Sequence, residues 1–105
     1  MNSEERRLKL QQELETFLNS RNVYFQPPES MKINYPCILY FKTRMPVNYA
    51  NESVYKNKQC YSVTVVDKDP DSMIAEDMMK SFPYCSIESY YRSDNLNHTK
   101  LTLYY

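Results

Sequence analysis

The chain has 105 residues with 13 basic and 13 acidic side chains, a formal net charge of 0. That length suits a single domain, 1–105, with a modest core, and the balanced charge excludes a strongly basic nucleic-acid binder or a polyacidic mimic. With no glycine at all, a glycine-rich phosphate loop and a dinucleotide fingerprint are excluded, and left-handed turn positions fall largely to Asn and Asp.

A first helix is predicted over residues 3–19. Asn2 or Ser3 can cap it, and Asn2 with Glu5 has capping-box spacing. Leu10, Leu14, Phe17 and Leu18 share one face, with Leu8 off the stripe. Glu5–Lys9 and Lys9–Glu13 are oppositely charged pairs four apart. The charged and amide residues Arg6, Arg7, Lys9, Gln11, Gln12 and Glu13 break the apolar run that a signal peptide needs, and no transmembrane stretch is expected.

Val23-Tyr24-Phe25 reads as a short extended piece ended by Pro27-Pro28. Residues 29–35 read as loop. Cys37-Ile38-Leu39-Tyr40-Phe41 is a continuous apolar run bounded by Pro36 and Lys42, the pattern of a strand buried for most of its length. Residues 42–59 are polar and carry Pro46 and several Asn. They read as a long loop or protruding arm, and a loop of that length is a candidate binding element.

Tyr61 to Val66 alternates, with Tyr61, Val63 and Val65 on one side. Asp67 to Ser72 breaks it. Helical period then begins, and Ile74, Ala75, Met78, Met79 and Phe82 form a stripe. Asp69 is the expected cap, Pro70 the first helical residue, Asp71 a first-turn acid, and Pro83 the stop. Tyr84 to Tyr91 and His98 to Tyr105 alternate on either side of an Asn/Asp-rich break, which predicts an antiparallel hairpin with a four- to six-residue connection. The expected fold class is α+β: a small, mostly antiparallel or mixed β-sheet with two helices packed on one face, leaving the other face partly uncovered.

Chemistry has few footholds. Asp67, Asp69 and Asp71 begin like a calcium loop, but Ser72 stands where glycine is needed and Met78 where a glutamate is needed. Capping explains these carboxylates without a metal. Cys37, Cys60, Cys85 and His98 lack ligand-pair spacing, so buried structural thiols are the simpler reading than zinc. His98 with Cys60 or Cys85, oriented by Asp94, would make a nucleophilic pair only if a thiol were activated; a histidine bonded to the Asp94-Asn95 backbone is the simpler reading. No enzyme activity, cofactor or metal is expected. Three cysteines without close spacing indicate a reducing compartment. The 11 tyrosines suit both β-strands and protein interfaces.

Four segments carry a resemblance. YPCILYF at 35–41, NYAN at 48–51, YSVTVVDKDPDS at 61–72 and YRSDNLNH at 91–98 resemble a small protein of the structural modules of tailed bacteriophages and prophages. With the element order, they resemble the tail-terminator and tail-completion (head–tail joining) family. The likeness spans residues 35–98 and the leading helix. It implies a short sandwich of two helices on a mixed or antiparallel sheet, assembled into a hexameric ring that caps the tail tube and meets the head connector. It implies a virion location, assembly in the bacterial host cytoplasm, and neither membrane nor sequence-specific nucleic-acid binding. Interface residues implied in the arm are Arg44, Met45, Val47, Tyr49, Val54 and Tyr55; those implied in the hairpin turn are Arg92, Asn95 and His98. Asp67, Asp69, Pro70 and Asp71 would be turn and cap residues or lie at a ring contact. The competing expectation is a small adaptor that takes a protein partner onto its sheet edge.

Overall fold

The computed structural model describes residues 2–44 and 58–105. Met45, Val47, Tyr49, Val54 and Tyr55, and the NYAN segment, lie outside them, as does most of the expected arm. The elements are α1 (Ser3–Leu18), β1 (Val23–Phe25), β2 (Cys37–Thr43), β3 (Cys60–Asp67), α2 (Ile74–Ser81), β4 (Cys85–Ser93) and β5 (Leu96–Tyr104). The five strands form one sheet in the order β1-β2-β3-β5-β4. β1 runs parallel to β2, and the other neighbours are antiparallel. This is an α+β fold with a mixed sheet and two helices.

α1 starts where the capping logic places it. The Asn2 side chain accepts from Glu5 N–H at 2.8 Å, and its amide donates to the Glu5 carboxylate at 3.4 Å. The helix ends at Asn19 in the left-handed region, φ 56°, where the N–H groups of Asn19 and Ser20 return to Thr16 and Glu15 carbonyls. Leu10, Leu14 and Leu18 are buried and Phe17 packs beside them. Leu8 stays exposed. Glu13 takes a hydrogen bond from the Tyr105 hydroxyl, which ties α1 to the last residue.

The main core lies between the helices and one face of the sheet. Ile38 and Tyr40 of β2, Tyr61, Val63 and Val65 of β3, and Leu101 and Leu103 of β5 supply the sheet side. Ala75, Met78 and Phe82 supply the α2 side. Each fully buried aliphatic side chain here is worth about 1.5–3 kcal/mol relative to exposure. On the opposite face a small cluster of Cys37, Val66 and Leu96 is partly covered by Tyr24, Leu39 and the loop residue Ile33. β2 therefore alternates between two apolar clusters, which explains its continuous apolar sequence; Phe41, at the end of the run, is exposed.

Three local expectations are corrected. α2 begins at Ile74, not Pro70, and its N-cap position is Met73, with no side-chain capping bond. The reason is competition. Asp67 Oδ1 accepts Asp69 N–H at 3.0 Å and Asp69 Oδ1 accepts Asp71 N–H at 2.9 Å, so consecutive Asx turns hold the backbone that would have coiled. Asp69 is thus a turn residue and not a helix cap, and Pro70 and Asp71 precede the helix. Met79, expected on the apolar stripe, is exposed, while Ala75 and Met78 of α2 and Phe82 at its C-cap are buried.

The hairpin connection is Asp94-Asn95, two residues with φ of 53° and 62°. Both central residues at positive φ is the geometry that matches the right-handed twist of the flanking strands. Arg92 and His98 therefore belong to β4 and β5, while Asn95 is in the turn. β4 also carries a register shift between Ile87 and Ser89. Cys85 and Ile87 lie opposite Leu103 and Leu101, but beyond the bulge Tyr90 lies opposite Thr99 and Tyr91 opposite His98. The alternation expected over Tyr84 to Tyr91 is broken there: Cys85 and Ile87 share a face with Tyr90 rather than with Tyr91.

Candidate functional site

Both ends of the sheet carry a cavity beside α2. At the end where β3 finishes and β5 begins, a cavity of about 310 Å³ is lined by Asp67, Asp69, Pro70, Glu76, Tyr90, Arg92, Asn97 and His98. The fold thus brings the Asp67-Asp69-Pro70 turn and the hairpin residues Arg92 and His98 into one place. Asn95 and Asp71 do not line it. Arg44 is exposed, just beyond β2. Sequence reasoning missed Tyr90 because the bulge that moves it to the helix side of the sheet, where it stays 64% exposed, has no residue signature, and it missed Glu76 because the helix was expected to start at Pro70 rather than Ile74. One carboxylate oxygen of Glu76 is buried without a hydrogen-bond partner among the described residues.

His98 Nδ1 lies 3.1 Å from the Leu96 carbonyl, so that nitrogen carries the proton. This corrects the expected bond to the Asp94-Asn95 backbone. The imidazole stacks on Tyr91, centroids 4.7 Å apart at 17°. Asn97 donates to the Asp67 and Lys68 carbonyls at 3.3 and 3.2 Å, which fastens the hairpin to the acidic turn.

At the opposite end, a groove of about 500 Å³ is lined by Arg6, Lys9 and Glu13 of α1, by Lys58, and by Phe82, Tyr84, Tyr104 and Tyr105. The Lys58 ammonium sits 5.3 Å from the centroid of the Tyr84 ring. Phe82 packs edge-on to Tyr105, at 6.0 Å and 81°. Sequence reasoning missed this groove, although Arg6, Lys9 and Glu13 fall at i, i+3 and i+7, on one helix face.

The thiols are poor nucleophiles. Burial pushes Cys37 and Cys85 up to about 11, and raises Cys60 too, against a partial opposing effect of the Tyr104 hydroxyl. Cys37 belongs to the small cluster and Cys85 packs against the main core. Cys37 and Cys60 lie at opposite ends of the β2–β3 ladder, across from Val66 and Thr43. Among the described residues no three His, Cys, Asp or Glu side chains are grouped to hold a metal ion. Asp67 and Asp69 instead use carboxylate oxygens on backbone N–H groups. No helix among the described residues is long and apolar enough to cross a membrane.

Comparison with protein-family models, curated proteins and solved structures finds no match.

Proposed function

We propose that this chain is a structural protein of a tailed-bacteriophage virion. It forms a homo-oligomeric, hexameric ring at the head–tail junction or the tail end, in the manner of a tail terminator. Its partners in this reading are further copies of itself, the tail tube and the connector ring. It is assembled in the bacterial cytoplasm and resides in the virion. Its role is geometric, matching one ring to another, and requires no catalytic residue.

The observation that carries the reading is the set of resembling segments. Three of them fall on adjoining strands: YPCILYF leads into and forms most of β2, YSVTVVDKDPDS is β3 with its acidic turn, and YRSDNLNH is the tip of the β4–β5 hairpin. The α+β architecture that the resemblance implies supports it as well. A closed ring needs heterologous contacts, in which two different surfaces of each subunit meet.

The test is light scattering of the purified chain at micromolar concentrations, followed by negative-stain imaging with the tail-tube protein encoded in the same structural module. A mass of about six subunits, or rings on tube ends, is expected. A monomer that leaves the tubes uncapped would sink the reading.

A second reading is favoured by one observation. β4 is a nine-residue edge strand, almost wholly exposed, with Tyr90 64% accessible. Such an edge is a template for an added strand, the mode of a peptide-binding adaptor. A monomer that binds an extended peptide, and loses it on Ser89→Pro, would favour that reading.

A further inference from the structure

The two ends of the sheet differ in charge. At one end the turn preceding α2 carries Asp67, Asp69 and Asp71, with Glu76 in the first turn of the helix, against Lys68 and Arg92. Asp69 and Asp71 are exposed. At the other end the groove gathers Arg6, Lys9 and Lys58 against one carboxylate, Glu13, which already accepts from the Tyr105 hydroxyl. The two sites are separated by the length of β3, which starts two residues after Lys58 and ends at Asp67. At about 3.3 Å per residue this is roughly 25 Å. The chain thus carries complementary charge at opposite ends while its net charge is 0.

We propose that the occupant of the basic groove is the acidic turn of a second copy of this chain. The contact is head to tail. Asp69 and Asp71 of one copy meet Lys9 and Lys58 of the next, and the aromatic walls of the groove exclude water around the ion pairs and strengthen them. Because each copy presents both halves, the contact repeats, and it closes into a ring or continues as an open fibre according to the rotation between copies. The inference deepens the ring reading by naming its two surfaces, and rests on it only for closure.

The experiment is a charge swap in the full chain. One variant is Lys9→Glu with Lys58→Glu. The other is Asp69→Asn with Asp71→Lys, in which the asparagine keeps the acceptor that holds the Asp71 N–H. Each variant alone juxtaposes like charges, and its self-association, read by mass photometry and sedimentation, weakens at least about a hundredfold. Mixed together, each variant's groove matches the other's turn, so the mixture regains the wild-type mass. Recovery on mixing also shows that both variants are folded. As an independent readout, wild-type association weakens about tenfold between about 0.05 M and about 0.5 M salt.

A wild-type chain that stays monomeric at about 100 µM overturns the contact, since each copy carries both halves of it and no further partner is invoked. So does assembly that is indifferent to both variants and to salt. If rings form with that indifference, the contact falls and the ring reading stands. If the variants and their mixture behave as stated but the assembly is an open fibre or a dimer, the contact stands and the ring reading falls.

Discussion

Tyr40 and Tyr61 make a controlled comparison inside one core. Both rings are fully buried on neighbouring strands, with centroids 5.9 Å apart. The Tyr40 hydroxyl donates to Gln11 Oε1 at 2.5 Å, and Gln11 in turn donates to the Val23 carbonyl and the Glu15 carboxylate, each at 2.9 Å. The Tyr61 hydroxyl is buried without a partner among the described residues. Replacing either tyrosine by phenylalanine removes one oxygen and leaves the ring. At Tyr61 the change relieves an unsatisfied buried hydroxyl, a penalty of about 1–3 kcal/mol. Part of that is returned through the small void, so a net gain of about 1 kcal/mol is expected. At Tyr40 the same change breaks a hydrogen bond and strips Gln11 Oε1 of its donor, costing about 1–1.5 kcal/mol. For a domain of this size the two thermal midpoints should separate by about 10 °C, with wild type between them. Urea titration monitored by circular dichroism measures the same difference. A destabilised Tyr61→Phe variant, or a neutral Tyr40→Phe variant, would refute the assignment of hydroxyl partners.

Three further outcomes follow from other sites. Asn95 sits at φ 62°, so Asn95→Gly should hold or raise stability by up to about 1 kcal/mol, while Asn95→Val should lower it by about 1–2 kcal/mol; both are read from chemical denaturation. The native chain should react slowly with a thiol reagent at about pH 8, because burial keeps all three cysteines protonated and Cys37 and Cys60 have almost no accessible surface; unfolding in urea should release three fast thiols. Stability should fall on the alkaline side. The folded values of Cys37 and Cys85, about 11, stand above the ordinary 9.0, so the folded state binds more protons through that window, and their contribution is complete below 9 and lost as pH rises toward 11. Tyr105 acts in the same direction above about pH 10, because burial and its bond to the Glu13 carboxylate both raise it. A thermal midpoint that is flat from pH 8 to about 11 would contradict this.

What could be read in the sequence was whatever is set by near neighbours. α1 was legible because Asn2 and Glu5 form a reciprocal cap and Leu10, Leu14 and Leu18 keep helical period. β2 and β3 were legible from short apolar or alternating runs. The start of α2 was not, because Asp and Pro before an apolar stripe fit both a capped helix and a run of Asx turns, and only the bonds from Asp67 and Asp69 decide between them. The two-residue hairpin turn was hidden because its usual glycine signal is missing and Asp94-Asn95 adopts the same conformation without it. The bulge at Glu88 and the parallel pairing of β1 with β2 depend on partners far along the chain, as does the gathering of Lys58, Tyr84 and Tyr105 beside α1.

Among the described residues this glycine-free chain puts Asn19, Asp94 and Asn95 at positive φ, with Gln26 as the one exception to the expected Asn and Asp, and at the acidic end the use of Asp in a turn has a second consequence. Asp67 and Asp69 hold the turn through carboxylate oxygens that accept backbone N–H groups. The same carboxylates make that end negative, so turn geometry and surface charge share atoms. The two roles separate at Asp69. Asp69→Asn keeps an oxygen for the Asp71 N–H and removes the charge. Asp69→Ala removes both, and should lose about 1 kcal/mol more than the asparagine variant. If Asp69→Asn lowers self-association while leaving the unfolding midpoint within about 2 °C of wild type, the charge acts between molecules. If the two substitutions lower stability equally, the charge itself, and not the acceptor, holds the turn, and the account of why α2 starts at Ile74 is wrong.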